Sequence, residues 1–285
     1  MVNTGQDQVA IVTGGGSGIG EGLCHELARR GTRVVVADIR PTDAERVATA
    51  IRAGGGMAES AAVDVTIEAD IRRIVAETVA RYERLDYLFN NAGIAIGGDF
   101  RDLTLEHWRQ VLDVDLYGVL HGCQAAYPVM VKQGFGHIVN TSSADAFFPD
   151  PGNAPYDTAK HALIGLSLSL RLEGADLGVK VSVVCPGFVR SNVYDNAGVV
   201  NMPGLAALHG RAREQAAGAP ARMMPADRAA RVILDRVARN QAVIVFPAQI
   251  RLARRLYAVL PGLFERELQR RWYRSRRAYR VAGAA

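Results

Sequence analysis

Short apolar runs alternate with longer amphipathic stretches along the chain. The runs are VAIV (9–12), RVVVA (33–37), AAVDV (61–65), DYLFN (86–90), HIVNTS (137–142), KVSVVC (180–185) and AVIVF (242–246). Their near-continuous Val and Ile content predicts strands buried on both faces. Between the first two runs, Ile19, Leu23 and Leu27 recur at helical spacing before Gly31, a C-terminal cap signal. Thr66 is expected to cap a helix running to Tyr82, and Thr104 one that carries Trp108, Val111 and Leu112. Alternation of this kind predicts an α/β fold: a single domain built on a doubly wound parallel sheet with helices on both faces.

Composition narrows the picture. With 285 residues and 49% hydrophobic content, the chain can bury a full core. No stretch approaches the roughly 18 uninterrupted apolar residues of a membrane span, and no signal-peptide pattern opens the sequence, so a cytoplasmic protein is expected. Cys24, Cys123 and Cys185 form no CxxC pair and the six histidines show no ligand spacing, so no structural metal is expected. The least regular portion, 191–225, follows a strand end and is either a substrate lid or a mobile surface loop.

Net charge is +5, but residues 251–280 carry ten arginines against Glu265 and Glu267, a local balance of +8 that leaves the remainder at −3. Residues 248–285 read as a basic amphipathic extension, broken at Pro261, to a domain taken as 1–247. The extension's arginines either seek an anionic surface or form a solvated face with their stems over apolar groups.

TGGGSGIG, residues 13–20, stands between a strand and a helix. Each glycine costs roughly 0.5–1 kcal/mol relative to alanine in regular structure, so the cluster marks a backbone that bends sharply or touches a ligand. Strand, glycines and helix in that order bring backbone N–H groups and a helix N-terminus to a pyrophosphate. Asp38, ending the second strand, is placed to accept both hydroxyls of an adenosine ribose and to repel a 2′-phosphate. Tyr156 and Lys160, four residues apart, share a helix face. An ammonium beside a phenol whose ordinary pKa is about 10 favours the phenolate, which makes Tyr156 a general acid/base candidate.

TGGGSGIG, Asp64-Val65, Asn90-Asn91-Ala92-Gly93, Ser143 before Tyr156-Asp157-Thr158-Ala159-Lys160, and Pro186-Gly187 together resemble the short-chain dehydrogenase/reductase family over residues 9 to about 250. The resemblance implies a Rossmann-like fold and a nicotinamide cofactor. Gly14, Ser17, Ile19 and Gly20 would wrap its pyrophosphate, Asp64 and Val65 flank the adenine, and Asn91, Ala92 and Gly93 line the ribose side. Val189 and Ser191 would hold the carboxamide. Asp38 and Ser17 point to NAD, while Arg40 argues for NADP.

The implied reaction passes hydride between the nicotinamide and a carbinol carbon while Tyr156 exchanges the hydroxyl proton, Ser143 polarises the carbonyl and Lys160 binds the nicotinamide ribose. Asp115 stands where the family usually has an asparagine that holds a relay water. As a carboxylate it is expected to pair with Lys160, keep the relay and shift the pH optimum.

Ile94, Ala95, Ile96, Phe147 and Phe148 follow strand ends, where they either line an apolar cleft or pack on a neighbouring helix or lid. A hydrophobic secondary alcohol or ketone is the expected substrate. The extension lies on a membrane surface, covers a subunit or covers the site entrance. A homo-oligomer, dimer or tetramer, is implied by the resemblance, and no nucleic acid partner is expected. The rival functions are reduction of a carrier-bound 3-oxoacyl thioester and cofactor sensing without catalysis.

Overall fold

Alternate side chains of each central strand point to opposite faces, and both faces are apolar. On β1 (Val9–Thr13), Ala10 and Val12 enter one core and Ile11 the other; on β2 (Arg33–Asp38), Val34 and Val36 pair with the first and Val35 and Ala37 with the second. Such strands suit a sheet covered on both sides. The computed structural model describes residues 8–190, 198–201 and 223–282. Within them follow β3 (Ala58–Ala62), β4 (Tyr87–Asn90), β5 (Ile96–Gly98), β6 (Gly136–Thr141), β7 (Val179–Pro186), β8 (Gly198–Val200) and β9 (Val243–Phe246). Among the described residues, one seven-stranded sheet runs in the order β3-β2-β1-β4-β6-β7-β9, and β5 pairs with β8 in a separate ribbon. All of these pairings are parallel.

Among the described residues, the helices are α1 (Gly18–Arg29), α2 (Pro41–Ala53), α3 (Glu68–Tyr82), α4 (Leu105–Leu112), α5 (Gly118–Gln133), α6 (Ala154–Glu173), α7 (Ala226–Ala238), α8 (Ala248–Val259) and α9 (Pro261–Ala282). Leu23 and Leu27 of α1, Val47 and Ile51 of α2 and Ile233 of α7 fill one face of the sheet. Ile71 and Ile74 of α3, Val119 and Ala126 of α5 and Leu163 of α6 fill the other. Cys24, Cys123 and Cys185 are all free and buried. They sit in three different apolar clusters.

Two local expectations are corrected. The third strand spans Ala58–Ala62, earlier than AAVDV. Val63 and Val65 are buried beyond its end, where apolar character serves the core without a strand. Thr66 does not cap α3, whose N-cap is Ile67. Its hydroxyl is bonded to Asp64 Oδ1 at 2.7 Å instead, and an Asx-type turn takes the group a cap would use. Thr104 does cap α4, accepting from His107 N while His107 Nδ1 accepts from Thr104 N at 3.1 Å. Of the segment 191–225, only 198–201 and 223–225 belong to the described residues.

Candidate active site

Because every strand of the main sheet points the same way, the loops leaving Thr13, Asp38, Asn90, Thr141 and Pro186 share one rim. The glycine turn follows Thr13. Gly14 adopts φ 63°, and a Cβ on Gly20 would lie 2.0 Å from the Gly14 carbonyl oxygen, so α1 starts against the turn only because residue 20 has no side chain. Ser17 is the extended N-cap residue of α1, without a capping bond from its side chain, and Ile19 packs against the core between α1 and the sheet. The turn is held from β4: Asn91 N and Ala92 N donate to Thr13 Oγ1 at 3.0 and 3.2 Å, and Asn91 Nδ2 donates to the Thr13 carbonyl at 3.1 Å.

Asp38 is nearly buried at the end of β2. Its Oδ2 accepts from Gly16 N at 2.9 Å and its Oδ1 from Arg40 N at 3.0 Å. The Arg40 guanidinium is paired elsewhere, with Asp43 at 2.7 Å. Asp64 turns on itself through Thr66, while the buried Val65 abuts Gly118 at the start of α5 and its carbonyl accepts from His121 Nδ1 at 3.0 Å.

Lys160 is the hub of the second cluster. It is buried on α6, and its Nζ donates to the Thr141 carbonyl at 3.0 Å and meets Asp115 Oδ2 at 3.0 Å. It also stands 5.3 Å from the centre of the Tyr156 ring, as the four-residue helical spacing requires. Asp115 is fully buried on a π-turn, Asp113–Tyr117, inserted between α4 and α5. A π-turn re-aims the side chains of the following helix and recurs at functional sites. Here it lets Oδ1 accept from Ile94 N at 2.8 Å, beyond Asn91-Ala92-Gly93, while Oδ2 faces the ammonium. Burial pushes the Asp115 carboxyl up and the Lys160 charge pulls it back. Gly93 fits beside this pair: a Cβ there would sit 3.4 Å from Asp115 Oδ2 and 3.5 Å from Lys160 Nζ.

Ser143 caps the short 3-10 turn Ala144–Ala146 after β6. Its Oγ donates to Asp145 Oδ2 at 3.0 Å and accepts from Asp145 N at 3.2 Å. Burial pushes the Asp145 carboxyl up, opposed by that hydrogen bond. Asp157 follows Tyr156 on α6; its Oδ2 accepts from Asp150 N at 2.8 Å and its Oδ1 is buried with no hydrogen-bond partner among the described residues. Burial pushes this carboxyl up to about 8.

The rim thus gathers the glycine turn with Asn91 and Ala92, Asp38 with the turn's backbone, and Gly93, Asp115, Tyr156 and Lys160 with one another. Val189 is buried on a β-bridge to Met224, and Ser191 lies outside the described residues. Phe147 and Phe148 pack on α8, under Arg254 and beside Tyr257, and Ile96 lies in the β5–β8 ribbon. Residues 8–198 match the short chain dehydrogenase family.

The chain belongs to that family.

A relative in Sphingobium indicum, the 2,5-dichloro-2,5-cyclohexadiene-1,4-diol dehydrogenase LinX, is 36% identical over 196 residues, 69% of this chain and 78% of the relative. A 3-oxoacyl-[acyl-carrier-protein] reductase of Synechocystis is 35% identical over 190 residues, 66% of this chain and 77% of the relative. Among solved structures, a short chain dehydrogenase/reductase of Burkholderia phymatum in complex with NAD superposes with a TM-score of 0.82 at 25% identity, covering 90% of this chain and 95% of that one. This short-chain dehydrogenase is therefore an oxidoreductase with a Rossmann-like fold. The missing Cβ of Gly20, the open N-terminus of α1 and the carboxylate of Asp38 suit a dinucleotide.

Sequence reasoning did not find Asp145, Ser142 or Thr13. Ser142 Oγ donates to the Lys160 carbonyl at 2.7 Å, fixing α6 against the end of β6. Ser142 and Asp145 carried a signal, as polar neighbours of Ser143, but only folding shows which way they face.

Proposed function

We propose that this short-chain dehydrogenase interconverts a hydrophobic secondary alcohol and its ketone with NAD(H), using Ser143, Tyr156 and Lys160. The observation that carries the proposal is the convergence on Lys160, where α6 presents Tyr156 beside a buried ammonium at the rim of the sheet. When bound, the nicotinamide supplies the hydride acceptor or donor. Tyr156 Oη takes the hydroxyl proton in oxidation and returns it in reduction. The Lys160 charge favours the phenolate, and Ser143 Oγ holds the substrate oxygen. Gly14, Ser17, Ile19 and Gly20 would cradle the pyrophosphate, Asp64 and Val65 the adenine, Asn91, Ala92 and Gly93 the ribose side, and Val189 with Ser191 the carboxamide.

The choice of NAD over NADP rests on Asp38, whose carboxylate opposes a 2′-phosphate, and on Arg40, whose guanidinium is already engaged by Asp43. The enzyme would work in the cytoplasm on small apolar molecules, as a dimer or tetramer. Reduction of a carrier-bound 3-oxoacyl thioester is the second reading, favoured by the Synechocystis relative and the basic extension.

Nicotinamide absorbance with NAD and NADP in parallel, over a panel of apolar secondary alcohols, tests the proposal. NAD-linked turnover is expected, and Tyr156→Phe should reduce it at least about 100-fold while NAD binding persists. Unchanged turnover in that variant rejects the mechanism. Activity confined to NADPH and acyl thioesters selects the second reading, and binding without turnover by the wild type selects the sensor.

A further inference from the structure

The extension has two unlike sides. One is bolted to the rim of the site. The Arg254 guanidinium lies 4.2 Å from the Phe147 ring centre, and Tyr257 stands edge-on between Phe148 and Phe264 at 5.6 and 5.8 Å. From α9, Trp272 closes on Gly152, where an added Cβ would meet its ring at 3.0 Å, and Arg276 pairs with the buried Asp99 at 2.8 Å. Arg101 and Arg276 together hold the Asp99 carboxyl down at about 2. All four anchor points lie on loops that follow β5 and the 3-10 turn of Ser143, so the extension forms one bank of the site's mouth.

The other side faces solvent. Leu252, Leu256 and Val259 share one face of α8, and Leu260 and Leu263 continue the row across the break at Pro261; all five are 44 to 76% exposed. Arg251, Arg255, Arg266, Arg270 and Arg274 are exposed on the same two helices. An aliphatic row at helical spacing needs a cover. A second copy of this face would bring two segments of charge +8 together. An anionic bilayer surface satisfies both features: leucines enter the headgroup boundary and guanidinium groups pair with phosphates.

We infer that the α8–α9 helix pair is an interfacial anchor for anionic phospholipid, seating the mouth of the site on the bilayer where an apolar substrate is concentrated. The inference builds on the proposed apolar substrate, but vesicle binding is read without turnover, so the two fail separately.

The test is flotation of the full chain with phosphatidylcholine vesicles, with and without phosphatidylglycerol. Binding only to the anionic vesicles is expected. The double variant Leu256→Asp, Leu263→Asp should lose it by about tenfold or more, as should Arg266→Gln with Arg270→Gln. These side chains point away from the core, and thermal unfolding at the wild-type temperature verifies that each variant is folded. The anchor is overturned if the wild type fails to float, if it binds neutral vesicles equally well, or if the leucine variant still floats. A leucine variant that keeps floating and changes its mass in solution assigns the row to a second copy.

Discussion

Lys160 shares its burial with a carboxylate, and this sets the electrostatics of the site. Asp115 Oδ2 at 3.0 Å offsets part of the ammonium field that would otherwise act on Tyr156. Asp115→Asn keeps the size and the acceptor for Ile94 N but removes the charge. In the proposed mechanism the rising limb of the oxidation rate against pH should then move lower, and coincident profiles would show that Asp115 does not tune Tyr156.

Asp157 makes a stability prediction. Its folded pKa of about 8 lies above the ordinary carboxylate range, so the folded chain holds more protons than the unfolded one through that interval. Stability should therefore fall as pH rises from about 4 to 8, by on the order of 1 kcal/mol per unit at most, and Asp157→Asn should flatten the slope in urea titrations. The spacing of Tyr156 and Lys160 was legible as a shared helix face. The Ser143–Asp145 bond was not, because a contact two residues apart in a 3-10 turn leaves no periodic trace.

At the scale of elements, long apolar runs were the easiest to read. The strands at Val9–Thr13, Arg33–Asp38 and Val179–Pro186 lie where Val and Ile cluster, since burial on two faces leaves little room for polar residues. AESAA on the sheet edge carries no such pattern, so the apolar residues just beyond it drew the expected strand out of place. DVDLY reads as ordinary helix, and the extra residue of a π-turn has no signature in composition.

The strand-turn-helix unit yields a sharp prediction. In Gly20→Ala the new methyl would fall 2.0 Å from the Gly14 oxygen and 2.7 Å from Asn91 Nδ2. The backbone of the turn must shift, so affinity for the nicotinamide dinucleotide should drop at least about tenfold and the melting temperature by several degrees. Calorimetric titration and thermal unfolding measure the two effects.

Across the whole molecule, the alternation of strand and helix was enough to give the parallel sheet, because parallel strands need crossovers of this length. The contacts of the extension were beyond reach: Arg276 meets Asp99 177 residues away in sequence, and nothing local to either residue announces the other. The family match ends at residue 198, leaving the extension to be understood from its own packing.

The three cysteines carry a last consequence. Each thiol is sealed in the core; burial pushes Cys123 and Cys185 up to about 12 and Cys24 beyond the usual thiol range. A reactive thiolate is the nucleophile that attacks electrophiles such as unsaturated ketones. Were the proposed alcohol substrate to carry a neighbouring double bond, its ketone would be such an electrophile, and none of the three buried cysteines offers it a thiolate.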